Sequence, residues 1–311
     1  MSFFNRREFI ATSCLSTAVP YATSLGNPLF AESKSPQFID AHVHVWTPDT
    51  ERYPLAEGYK KSDMKPASFT PEQLFAHCRP TGVSRIVLIQ MSYYQFDNSY
   101  MLDMMKKFSG VFSGVGIVDE NNHPVRNMLK QARHGVRGFR IQPKGRPANQ
   151  WLNSDAMNSM WQVGAKHGLA MCHLINAEHL ASVGEMCKLH PDTPVVIDHF
   201  ARVGVDGEIR KAELDQLCAL AKHKNVSVKI SAYYALGKKQ APYKDLLPMI
   251  KRCLDAFGPE RLMWASDGPF QVVEGHEYAP SIDLIKQADF LSAGDKDLLL
   301  RGTAERVFFS S

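Results

Sequence analysis

Two histidines two residues apart in an apolar run are the first residues of this chain whose types and spacing suit chemistry. They lie in Phe38-Ile39-Asp40-Ala41-His42-Val43-His44-Val45-Trp46. Phe38, Ile39, Val43 and Val45 give the run the character of a buried strand, and side chains two apart on a strand share a face. His42 and His44 are therefore expected side by side, where neutral imidazoles suit one divalent cation. As plain core residues, two adjacent rings would each need a polar partner to offset the cost of burial. Further polar groups follow other short apolar runs: Arg140, His173, the pair Asp198-His199, and Asp267. Imidazole, carboxylate and guanidinium gathered round one point would suit attack of an activated water on a carbonyl.

The elements that must gather these groups alternate along the chain. Strands are expected at residues 38–45, 85–89, 111–118, 136–141, 169–174, 194–197, 226–230 and 262–265, with a helical pattern after each. The strands are short, continuous apolar runs, as in a parallel sheet buried on both faces. Eight such units over residues 37–311 predict one (β/α)8 barrel domain, with a further helix at residues 295–308. An open doubly wound sheet fits less well, because no Gly-x-Gly-x-x-Gly follows the first strand. The C-terminal strand ends of such a barrel build its active site. Here they offer His42 and His44, Gln90, Arg140 and Gln142, His173, Asp198 and His199, Ser231 and Tyr233, and Ser266 and Asp267. Loops at residues 46–69, 91–98, 142–153 and 231–243 would set specificity.

Composition narrows the class. Of 311 residues, 44% are hydrophobic and 22% charged, as in soluble globular chains. A net charge of +4 is too small and too dispersed to argue for nucleic acid or a membrane surface. The six cysteines include no Cys-x-x-Cys pair and read as small buried residues rather than a disulfide framework. Asn5-Arg6-Arg7-Glu8-Phe9-Ile10 opens a twin-arginine-type pattern, and a Ser/Thr/Ala-rich stretch follows to about Leu25. Residues 1–31 are thus expected to be an export signal, cleaved near Ala31, that directs the protein to the periplasm or beyond. No apolar run reaches the roughly 18 residues of a spanning helix, so no membrane partner is expected after the signal is removed.

Four motifs, taken in order, carry a family resemblance. They are Asp40-Ala41-His42-Val43-His44-Val45-Trp46, Val196-Ile197-Asp198-His199-Phe200, Lys229-Ile230-Ser231 and Leu262-Met263-Trp264-Ala265-Ser266-Asp267-Gly268-Pro269. From about Gln37 onward the chain resembles the amidohydrolase superfamily, in its branch of small lactonases that includes 2-pyrone-4,6-dicarboxylate lactonase and the sugar-acid lactonases. The resemblance implies a TIM-barrel hydrolase that opens a cyclic ester of a sugar acid or dicarboxylate. It implies His42, His44, His173 and Asp267 as ligands to one divalent ion, zinc or manganese. Asp267 would also act as general base, and His199 would polarise the carbonyl or protonate the leaving oxygen. Arg140 would clamp a substrate carboxylate, since guanidinium pairs with it through two hydrogen bonds. Arg202, Tyr233 and Tyr53 would stand on the substrate side. The partner is then a small, anionic molecule. Gly268 stands where the family often has Trp, which would leave a wider pocket. The same branch includes lactonases that keep the His-x-His pair and work without metal, and the superfamily includes metal-dependent decarboxylases with similar ligands.

Overall fold

A computed structural model describes residues 37–143, 145–147, 150, 152 and 154–310. The export segment expected at residues 1–31 lies outside the described residues. Eight strands run in chain order: β1 (Phe38–Val43), β2 (Val83–Ile89), β3 (Phe112–Gly116), β4 (Val136–Ile141), β5 (Ala170–His173), β6 (Val195–Ile197), β7 (Val226–Ile230) and β8 (Leu262–Trp264). Each pairs in parallel with the next. All eight fall within two residues of the bounds expected from the apolar runs.

Helices follow the strands: α1 (Pro71–Cys78), α2 (Ser99–Lys107), α3 (Pro124–Ala132), α4 (Asp155–His167), α5 (Leu180–Leu189), α6 (Lys211–Ala219), α7 (Leu247–Phe257) and α8 (Tyr278–Gln287). The first starts where Thr70-Pro71 predicts. Thr70 caps it, and the Gln73 side chain accepts back from the Thr70 N–H at 2.7 Å. The helices bury their apolar faces against the outside of the sheet, in a core that includes Leu74, Met101, Met128, Trp161, Leu217 and Ile250. The chain then ends in α9 (Ala293–Asp297), a π-helical turn at Leu298–Gly302 and α10 (Thr303–Phe308), where the pattern predicts one continuous helix.

A second apolar layer fills the inside of the barrel. Ile39 and Ala41 of β1, Val87 and Ile89 of β2, Val115, Ala170, Cys172, Val196, Met263 and Ala265 meet there. Ala304 and Phe308 of α10 pack into the same cluster and close its floor, where the Ser113 hydroxyl donates to the Phe308 carbonyl at 2.6 Å.

Two features of β1 decide where the chemistry lies. Its register against β2 shifts between Asp40 and Val43: three steps on β1 answer two on β2. Such a bulge re-aims the following side chains, and His42 joins the inward face that Ile39 and Ala41 already occupy. The barrel then closes between β8 and β1 without a regular ladder. The Asp267 N–H donates to the His42 carbonyl at 2.9 Å, and the His44 N–H donates to the Gly268 carbonyl at 2.8 Å. Below these bonds the buried Asp40 carboxylate takes the place of a strand partner. It accepts from the Ser266 N–H at 2.9 Å, the Ser266 hydroxyl at 2.5 Å and the Tyr278 hydroxyl at 2.6 Å. Burial raises its pKa to about 6 against the opposing pull of these donors.

Candidate active site

Closure of the β1/β8 seam sets Asp267 beside the two histidines of β1. His42 Nε2 is 3.3 Å from His44 Nε2, and Asp267 Oδ1 is 3.4 Å and 3.5 Å from these two nitrogens. Asp267 sits in the left-handed region at φ 66°, a conformation held by its backbone bond to His42. The His44 ring is pinned from behind, with Nδ1 3.0 Å from the Ile89 carbonyl. A carbonyl only accepts, so Nδ1 carries the proton and the Nε2 lone pair faces Asp267.

His199 closes the other side. Its Nδ1 is 2.8 Å from the Ser231 hydroxyl, its Nε2 is 3.7 Å from Asp267 Oδ2, and its ring centroid lies 4.4 Å from that of His42. The backbone that presents it is unusual. His199, Phe200, Ala201 and Arg202 have φ of 52°, 53°, 53° and 58°, four consecutive left-handed residues without a glycine. Each such residue costs about 1 kcal/mol or more. Residues three apart on such a turn share a side, and His199 and Arg202 both line the cleft.

Beneath these groups lies a buried charge cluster. The Asp198 carboxylate ion-pairs with Lys229 Nζ at 3.1 Å and Arg140 Nη2 at 3.3 Å. Lys229 Nζ is also 3.3 Å from His42 Nδ1, and Arg140 Nη2 is 3.0 Å from His42 Nε2. The Asp198 carboxylate thus faces two cations, and this pairing lets a fully buried lysine stay in the interior. Burial alone would raise the Asp198 carboxyl, but Lys229, His42 and Arg140 hold it well below the usual carboxylate range. Burial, with help from Lys229, keeps His42 neutral far below its usual pKa, and burial lowers His199 against the pull of Asp267 and Asp198.

The remaining expected residues divide. Arg140 and Arg202 wall the cleft, whose volume is about 480 Å³. His173 is not part of the His42–His44–Asp267 group. Its neighbours Ala170 and Cys172 face the barrel interior, so alternation turns His173 outward against Trp161 of α4, with ring centroids 5.5 Å apart. Burial there lowers its pKa to about 3. Tyr233 is fully buried against Tyr243 and does not line the cleft. Left-handed Ala232 starts a short turn that brings Tyr234 inward instead, and the Tyr234 hydroxyl donates to Asp267 Oδ2 at 2.7 Å. Tyr53 donates to Asp103 at 2.7 Å, away from the cleft. Gly268 points away too: a Cβ there would meet Ser266, Val43 and Phe69.

Could the group hold a cation? His42 Nε2, His44 Nε2 and Asp267 Oδ1 all lie within 4.8 Å of one another, and all three residues are buried. Asp267 Oδ1 accepts no hydrogen bond of normal geometry, whereas Oδ2 is taken by Tyr234. Two imidazoles and one free carboxylate oxygen are a donor set that fits a divalent ion. Arg140 competes on one side, because its guanidinium already faces the lone pair of His42 Nε2. A larger hollow of about 830 Å³ lies at the opposite end of the barrel, among Arg133, Arg137, Arg261 and Arg306. No Asp or Glu is among the residues that line it, so the smaller cleft, with Asp267 beside His199, is the one equipped with a base.

Comparison with known proteins agrees with this geometry. A family model described as Amidohydrolase matches residues 39–309. An L-fucono-1,5-lactonase of Burkholderia ambifaria is 29% identical over 246 residues, which cover 76% of this chain and 82% of that protein. A 2-pyrone-4,6-dicarboxylate hydrolase of Comamonas testosteroni is 28% identical over 264 residues, 79% of this chain and 83% of that one. A solved amidohydrolase of Burkholderia multivorans with bound zinc superposes with a TM-score of 0.72 at 20% identity, over 88% of this chain and all of that one.

Proposed function

This chain belongs to the amidohydrolase family, and from that premise we propose that it hydrolyses a lactone bearing an anionic group. One observation carries the reading: a free oxygen of Asp267 and the imidazole of His199 converge on a cleft walled by two guanidinium groups. Asp267 Oδ1 takes the proton of the attacking water. The water oxygen bonds to the lactone carbonyl carbon, and the acyl carbon–oxygen bond breaks. His199, steadied by Ser231, polarises the carbonyl or returns a proton to the ring oxygen as it leaves. Arg140 and Arg202 orient the anionic group. Tyr234 holds the second oxygen of Asp267 and so fixes which oxygen is free to act as base.

His42, His44 and Asp267 would hold one divalent ion, zinc or manganese, which supplies Lewis acidity and lowers the pKa of water. The named lactonase relatives support the reaction class, and the zinc-bound neighbour supports the choice of ion. The test is a panel of sugar-acid and dicarboxylate lactones, with the product weighed. A gain of one water is expected. Loss of carbon dioxide would replace the reading with a decarboxylase, and no turnover would overturn it. Exhaustive chelation should abolish activity. Activity that survives it would leave His42, His44 and Arg140 to polarise the carbonyl unaided. We also propose export through residues 1–31. Arg6→Lys with Arg7→Lys should retain the protein inside the cell, and unchanged export would exclude the twin-arginine route.

A further inference from the structure

The catalytic cleft does not stand alone. A second chamber of about 710 Å³ adjoins it, and the two share Tyr59, Ser92, Arg140 and Gln142. The chambers differ in charge. The cleft has Arg140 and Arg202 against Asp267. The second chamber balances Arg140 and Arg146 with Asp119 and Glu120, of which Glu120 pairs with Arg146 at 2.5 Å. A second anionic group therefore gains nothing there, whereas a neutral group is not opposed.

The walls say which neutral group. Phe96 is 40% exposed, one of the three large apolar side chains exposed among the described residues, and it lines this chamber. Met157 and Met160, both nearly buried, form an adaptable apolar floor. Around them stand Asp119, Asn121 and Gln142, short polar groups that accept from hydroxyls. An aromatic face with acceptors at its edge suits the apolar C–H face and equatorial hydroxyls of a sugar ring. A plain hydrocarbon would leave those polar groups unpaired on burial.

We infer that the substrate carries a neutral polyhydroxylated ring beyond the lactone, and that the Phe96–Asp119 chamber binds it while Arg140 marks the boundary. The inference rests on the lactonase reading and deepens it to a disaccharide-type lactone.

Two probes separate the outcomes: the 1,5-lactone of a hexaric acid, whose second carboxylate stays free for Arg140 and Arg202, and the same lactone bearing a hexosyl group on one hydroxyl. The larger lactone should show at least a 10-fold higher kcat/KM. Phe96→Ala and Asp119→Asn should each lower that value at least 5-fold, mainly through KM, and leave the smaller lactone unchanged. Equal kcat/KM for the two lactones, or equal losses on both, would overturn the chamber. Turnover of neither would overturn the lactonase reading instead. The chamber then still faces titration of the ring-opened disaccharide acid into Asp267→Asn, with and without Phe96→Ala. At least 5-fold weaker binding in the double variant is the expected result, and identical binding overturns the inference.

Discussion

At the floor of the barrel, Ala304 and Phe308 meet Ile39, Val87 and Val196 in an apolar layer on ordinary helical and strand backbone. At the rim, His42, His44, His199, Asp198 and Asp267 are buried together, and His199 to Arg202, Ala232 and Asp267 take left-handed backbone. The same eight strands span both ends. Interior packing stabilises the fold at one end, and backbone strain with charge burial spends part of that stability at the other. Concentrated strain and burial of ionisable groups are what pre-organised sites show. The contrast is testable: rim substitutions should reduce chemistry more than stability, and floor substitutions the reverse.

The largest effect should come from Asp267→Asn. Loss of the base should lower kcat by about 10³-fold or more, equivalent to about 4 kcal/mol. The urea midpoint should change little, because the backbone bond to His42 remains. Activity within 10-fold of the parent would break the contrast and the mechanism together. Phe308→Ala is its mirror at the floor. It should cost about 3–5 kcal/mol of stability, removing also the ring that lies 5.2 Å from Lys229 Nζ. In the fraction that remains folded, kcat should fall less than 10-fold. A larger fall would mean that Phe308 reaches the chemistry through Lys229, Asp198 and His42.

Both ends differed in how far they could be read in the sequence. The strands were legible as apolar runs, and His42, His44, His199 and Asp267 as polar groups at their ends. Period-two alternation also paired His42 with His44 correctly. It could not reveal the β1 bulge that turns them inward, since register belongs to the partner strand. The same blindness affected His173: only the inward placement of Cys172 shows that the histidine faces Trp161. Tyr233 and Tyr234 are alike on paper, and a single left-handed residue, Ala232, separates their fates. Lys229 had a usable signal, a lysine inside the apolar run Val228-Lys229-Ile230. A charge in a doubly buried strand needs a partner, and Asp198 is the matching anomaly on β6.

Acidification should sharpen the contrast more gently. His42, His173 and His199 are kept neutral by burial, with pKa values below the usual 6.5. In the unfolded chain each takes a proton near pH 6.5. Their contribution is therefore complete above that pH and is lost as pH falls, at about 1.4 kcal/mol per pH unit for each histidine. For His173 the loss continues down to its folded value of about 3. Urea unfolding of His173→Gln at pH 7.5, 6.0 and 5.0 should show a shallower acid decline than the parent, by up to one histidine's slope. An identical decline would mean that the folded protein already holds a proton on His173.

The finest test makes one substitution at both ends. Ala304 lies in α10 with its side chain in the packed floor. Glycine there loses helix propensity, about 1 kcal/mol, and removes a buried methyl group. Ala201 has φ 53° inside the left-handed turn, where its Cβ is the source of the strain. Glycine is free of that strain, but its greater freedom in the unfolded chain and the loss of a buried methyl group offset most of the relief. Ala304→Gly should therefore destabilise by about 1–2 kcal/mol. Ala201→Gly should change stability by less than about 1 kcal/mol. The kcat order should run the other way, because a loosened turn holds His199 and Arg202 less firmly. If both variants lose equal stability, the left-handed turn stores no strain, and the rim differs from the floor in its polarity alone.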